Sequence, residues 1–155
     1  MTAAQKIQYK ARLLKTCAGI IRQRIAVSAL AIENAQVAAN EEEKSSAGDK
    51  YETSRAMSHL EKDMYGRQLE ANKAELAALL AVDGNQLYKA AVAGAVIKCE
   101  GFSFLIAAGL GKILFEETII YLLSPNAPVA NILNQKKRGD RFLFNGKDML
   151  IVDIF

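Results

Sequence analysis

The chain has 155 residues, 51% of them hydrophobic, a formal charge of +3, two cysteines and one histidine. That length suits one compact domain, or a small domain carrying an extended element. The charge is too small to mark a nucleic-acid binder, and Cys17, Cys99 and the single His59 compose neither a metal cluster nor a nucleophile–base pair.

No apolar run reaches membrane-spanning length and the first residues lack a signal-like core, so a cytoplasmic protein with no membrane partner is expected. Residues 4–40 hold no proline and no turn-like cluster. Leu14, Ala18, Ile21, Ile25, Ser28, Ile32, Ala35 and Ala39 recur at alternating spacings of four and three, which predicts the seam of a long coiled-coil helix. Six bases against Glu33 give this stretch a net +5, whereas residues 41–63 carry a net −3.

The segment Glu41–Glu52 interrupts the helical pattern and predicts a turn. A second helix follows, with Met57, Leu60 and Met64 opening an apolar stripe that Leu69, Leu76 and Leu80 continue after a shift in phase. The two helices would pair as an antiparallel hairpin over residues 1–83, with an acidic tip near 41–52. Asp49 and Glu52 have the spacing of a capping box, with Gly48 suited to the turn before it and Ser45 and Ser46 as weaker caps.

After Val82-Asp83-Gly84-Asn85 the alanines thin out and β-type segments appear at Ala95–Cys99, Phe102–Ala107, Thr118–Leu122, Arg141–Phe144 and Met149–Ile154. Asn145-Gly146 signals a hairpin turn between the last two. Ser124-Pro125 reads as the entry to a short helix over Val129–Gln135. The fold class is therefore α+β: a helical hairpin, then residues 84–155 as a small antiparallel sheet with one helix packed on it. Phe102, Phe104, Tyr121, Phe142, Phe144 and Phe155 suit alternating core positions better than a base-stacking surface.

No nucleotide loop is present, since Gly109-Leu110-Gly111-Lys112 lacks the full spacing and the Ser or Thr that must follow. Asp49 and Glu52, three apart at a helix start, can point to one side. Two carboxylates do not satisfy the octahedral demand of magnesium, but they can complete a site whose other ligands belong to a partner. Glu41, Glu42 and Glu43 read as solubilising charge, and Lys136-Lys137-Arg138-Gly139-Asp140-Arg141 is the densest basic patch, suited to phosphates or an acidic partner.

The run from Tyr121 through Ser124-Pro125 to Leu133, followed by Lys136-Lys137-Arg138-Gly139-Asp140, resembles the carboxy-terminal domain of the Gre transcript-cleavage factors. Phe142–Lys147 and the closing strand extend the likeness, and Gly48-Asp49-Lys50-Tyr51-Glu52 matches the family's Gly-Asp-x-x-Glu tip. The resemblance spans the chain and points to a compact Gre-like subgroup. It implies an FKBP-like sheet domain and a monomer that binds bacterial RNA polymerase, meets nascent RNA only indirectly, and places its hairpin in the secondary channel. In that setting Asp49 and Glu52 would assist a polymerase-held magnesium in cleaving backtracked RNA, with no cofactor bound stably to the protein alone. Lys136, Lys137, Arg138, Ser124 and Pro125 would contact the polymerase. The protein would then be no enzyme itself.

One departure bears on activity: the family continues its tip with Asn-Ala-Glu-Tyr, and this chain has Thr53-Ser54-Arg55-Ala56. A regulator that occupies the channel without cleavage, an FKBP-like prolyl isomerase or chaperone, and a dimerising helical scaffold are the competing readings.

Overall fold

A computed structural model of the chain describes the backbone outside residues 44–47 and the side chains outside residues 42–51. Two long helices, α1 (Ala3–Glu43) and α2 (Gly48–Leu80), precede β1 (Val96–Cys99), β2 (Phe102–Ile106), β3 (Gly111–Phe115), β4 (Thr118–Leu123), the short helix α3 (Pro128–Leu133), β5 (Arg141–Phe144) and β6 (Lys147–Ile154). The fold is α+β, as the sequence predicts. Among the described residues no helix is long and apolar enough to cross a membrane. The chain divides into two compact units, Met1–Gly19 with Glu75–Phe155, and Ile20–Ala74.

In the first unit the strands form one sheet in the order β3-β4-β2-β1-β6-β5. Two features correct the sequence reading. The sheet is not wholly antiparallel, because β2 and β4 run parallel from Phe102↔Ile119 to Ile106↔Leu123. The sequence does not announce the edge strand β3, which pairs with β4 through a two-residue loop, Glu116-Glu117, in which both residues have positive φ (45° and 63°). That is the backbone of a type I′ hairpin, normally marked by Asn or Gly, so acidic residues there conceal the turn. Asn145-Gly146, with φ of 51° and 75°, closes the expected β5–β6 hairpin in the ordinary way.

The α3 region also differs in detail. Ser124-Pro125 does not open the helix but forms a turn, with the Ala127 N–H donating to the Ser124 carbonyl at 2.9 Å. Pro128 then occupies the first turn of α3, where its missing N–H leaves nothing unpaired. The helix ends at Leu133, two residues short of Gln135, whose φ is 62°.

Alternation along the strands gives the sheet two apolar faces. Ile97, Phe104, Ile106, Phe142, Ile151 and Ile154 share one cluster with Ala130 and Leu133 of α3. Residues of opposite parity face the first turns of α1. There Tyr9 meets Phe115 and Phe155 edge-on, with ring centroids 5.3 and 5.9 Å apart, and Lys6 pairs with Asp153 at 2.7 Å. Leu13 and Cys17 continue this buried stripe. Thr2 and Gln5 start the helix with a reciprocal capping box: the Gln5 N–H donates to Thr2 Oγ1 and the Thr2 N–H to Gln5 Oε1.

Lys10 belongs to the same stripe and is fully buried. Its Nζ donates to the Gln86 carbonyl at 2.8 Å and lies 4.6 Å from the Tyr88 ring centroid. Burial lowers its pKa from 10.5 to about 8, against an opposing pull from Asp83. Burial moves the two free thiols the other way, Cys17 to about 12 and Cys99 to about 11, from 9.0.

In the second unit α1 presents the seam the sequence predicts: Ile21, Ser28 and Ala35 are buried and Ile25, Ile32 and Ala39 half-buried. Gln23–Ala31 share a groove with residues from Tyr65 to Asn72, and Lys62 donates to Gln36 at 2.7 Å, so the helices run antiparallel. The inner face of α2 is not the expected stripe. Ser54, Ser58, Tyr65, Leu69 and Asn72 turn inward, while Met57, Leu60 and Met64 are 59%, 67% and 49% exposed. Toward its end, Leu76 and Leu79 are covered and Leu80 is exposed. The four-three spacing of the apolar residues is real but lies one helical face away from the contact.

Two predictions follow from these burial patterns. Between pH 8 and 9 the unfolded chain keeps the Lys10 proton that the folded chain releases, so stability rises; above 9 the unfolded thiols ionise while the folded ones stay protonated, so it falls. Tyr9, raised by burial and by Glu116 against Arg12, adds to the fall at higher pH. Denaturant titrations across the alkaline range should therefore show a maximum near about pH 9, with limbs of about 1.4 kcal/mol per unit for each group. Lys10→Met should abolish the rising limb, and its persistence in that variant would refute the assignment. In the hairpin, Leu60→Ser should change stability by less than about 0.5 kcal/mol, whereas Ile21→Ala should cost about 2–5 kcal/mol. The reverse ranking would place Leu60 in the seam.

Candidate functional site

The acidic segment of the sequence falls where α1 ends and α2 begins. α1 ends at Glu43 and α2 begins at Gly48, so Asp49 and Glu52 both stand at the start of α2, three residues apart. Residues at that spacing share a helix face. Gly48 is the first helical residue of α2, and Asp49 follows it in the first turn. Glu41 and Glu52 are exposed. The side chains of Asp49, Glu42 and Glu43, and both Ser45 and Ser46, lie outside the described residues.

The basic run follows α3. The Ala91 N–H donates to the Lys136 carbonyl at 2.8 Å, and Ala90 bridges Lys137, which ties this segment to the lead-in of β1. Asp140 then closes a tight turn: its carboxylate accepts from the Lys137 N–H at 2.7 Å and its own N–H donates to the Lys137 carbonyl at 3.0 Å. Gly139, at φ 92°, is required at that bend. The turn leaves Lys137 and Arg138 exposed and Lys136 half-buried, and none of the three pairs with a carboxylate among the described residues. Arg141, by contrast, is engaged with Asp148.

Ser124 and Pro125 lie in the turn before α3, at the other end of that helix from the basic run. Pro125 instead borders a cavity formed by the end of α2 and the end of β2, which the sequence reading did not foresee. Its residues are scattered from Ala78 to Pro125 and leave no local motif. His59 is exposed on α2, and Cys17 and Cys99 are buried with raised pKa values, so neither thiol is primed as a nucleophile.

Chemically, the exposed Glu41 and Glu52 offer carboxylate oxygens, and the turn after α3 offers cations that pair with no carboxylate among the described residues. Among the described residues no three His, Cys, Asp or Glu side chains are grouped to hold a metal ion.

No protein-family model matches the chain, and no curated protein matches it. Among solved structures, one described as the transcription factor Gfh1 aligns over 88% of this chain and 92% of its own, with 14% sequence identity and a TM-score of 0.38. That likeness is too distant to define a family.

Proposed function

We propose that this protein is a Gre-like regulator that binds bacterial RNA polymerase and places its helical hairpin in the secondary channel. The observation that carries the reading is the pairing of sequence and placement at the tip. Gly48-Asp49-Lys50-Tyr51-Glu52 opens α2 directly after the connection from α1, with both acids on one turn. Lys136, Lys137 and Arg138, which pair with no carboxylate among the described residues and lie at a turn braced by Asp140, support a docking role for the sheet-bearing unit.

In this reading the polymerase is the enzyme. A magnesium ion held jointly by polymerase carboxylates and by Asp49 and Glu52 would polarise water and stabilise charge developing on the cleaved phosphodiester. This chain contributes the position of its two carboxylates. Because they lie on a helix, their spacing is fixed by the backbone, and only the side-chain rotamers need to be ordered on binding. Lys136, Lys137 and Arg138 would add attraction that weakens with salt.

The test uses a backtracked elongation complex with magnesium. The wild-type protein should accelerate RNA cleavage, and Asp49→Ala or Glu52→Ala should each reduce that stimulation by about 10–100-fold while still competing for the channel. Equal cleavage with all three proteins would remove the carboxylate assignment. Binding to polymerase with no cleavage even by the wild type would establish the second reading, a channel-occupying regulator, which Thr53-Ser54-Arg55-Ala56 after the tip favours.

A further inference from the structure

The cavity beside Pro125 has a volume of about 300 Å³, at the lower end for ligand pockets, and is large enough for one side chain or a small amine. Its walls come from the last turn of α2 through Val82 and Asp83, from Tyr88 and Gly94, and from Ile106 and Pro125. Most of this lining is small and aliphatic. Its polar features are all of one kind.

First, the pocket lies at the carboxy-terminal end of a long helix. Ala81 donates to the Ala77 carbonyl and Val82 to the Leu79 carbonyl, but the carbonyls of Ala78 and Leu80 accept no hydrogen bond from the described residues. The last turn carries no basic side chain to balance the negative end of the dipole. Second, Asp83 adds a full negative charge. One of its oxygens accepts from the Asn85 N–H at 2.9 Å, and the exposed carboxylate retains capacity for another donor. Third, the Tyr88 hydroxyl is held against Gly94, where a Cβ would stand 2.9 Å from it, and it has no hydrogen-bond partner among the described residues. The Tyr88 ring is already engaged by Lys10, so the hydroxyl is the phenol's free group.

We infer that this cavity binds an organic cation on an aliphatic stem: a guanidinium or ammonium whose charge meets Asp83 and the carbonyl end of α2, and whose methylenes lie along Val82, Ile106 and Pro125. The apolar walls favour an alkyl chain over a hydrated metal ion; Lys10, on the Tyr88 ring, already attracts Asp83, but no cation is among the residues that line the cavity, which favours positive charge over an anion. Two sources present this chemistry, an arginine or lysine side chain of a partner protein and a free polyamine. The inference concerns only the sheet-bearing unit and does not depend on the transcription reading.

Amide NMR shifts of the full chain, titrated with agmatine, spermidine, a capped Gly-Arg-Gly peptide and neutral butanol, test it. Agmatine should shift Val82–Tyr88 and Gly94 with a dissociation constant in the millimolar range, and butanol should not. Asp83→Asn keeps the turn to Asn85 and should weaken agmatine binding about tenfold, the loss expected for one charge-assisted hydrogen bond. Tyr88→Phe should weaken it less. Peptide binding equal to agmatine identifies a partner's side chain; spermidine binding with the peptide excluded identifies a free polyamine. Equal binding of butanol, unchanged affinity in Asp83→Asn, or shifts confined to other surfaces would each overturn the inference.

Discussion

The contact on which the sheet-bearing unit depends is the insertion of Tyr9 between Phe115 and Phe155. These two rings come from β3 and from the end of the chain, on opposite sides of the central strands, so a single side chain of α1 ties distant parts of the sheet together. Lys6 one turn earlier and Leu13 and Cys17 one and two turns later extend the attachment. The face that α1 buries here is broad, two adjacent residues per turn: Tyr9 and Lys10, Leu13 and Leu14, Cys17 and Ala18. Beyond Ile21 it narrows to the single coiled-coil seam. A helix with two neighbouring elements needs the wider stripe, and a helix with one needs only the narrower.

That change in width is accompanied by a change in chemistry. The seam between the helices in the second unit sets Ile21, Ile25 and Ile32 among Ser28 and Ala35 and faces Ser54 and Ser58 of α2, with an amide–ammonium contact between Gln36 and Lys62. Small and hydroxylated residues bury little apolar area, so each turn contributes less than a leucine seam would. Meanwhile Val27, Leu30, Val37, Met57, Leu60 and Met64 are exposed. The sheet-bearing unit is the opposite case: Phe102, Phe104, Tyr121 and Phe144 all contact one another, Phe142 joins them through Phe104, and aliphatic residues pack with them beneath α3.

Most of the fold is legible in the sequence because its signals are local. The seam of α1, the turn at Asn145-Gly146 and five of the strands all follow from spacing or from residues with special backbone freedom. The parts that are not legible depend on tertiary context. Glu116-Glu117 adopts a glycine-like backbone at a cost, and Glu116 is engaged by Arg12 of α1, a contact that no window of sequence contains. The phase of α2 is not legible because its most hydrophobic residues do not mark the buried face: the neighbouring helix accepts serine, tyrosine and asparagine. At the candidate site the pattern differs again. The spacing of Asp49 and Glu52 is visible in the sequence, but the cavity beside Pro125 is assembled from segments up to 47 residues apart, and only the folded chain brings them together.

The uninterrupted course of α1 has a consequence for how such a chain can vary over generations. Each residue of an α-helix turns the next by about 100°, so a single residue inserted into α1 within the hairpin would rotate the residues after it out of the seam. Only additions of about seven residues, matched in α2, restore the seam. Length in this molecule is therefore quantised: relatives with longer or shorter hairpins should differ in whole heptads, as paired insertions or deletions.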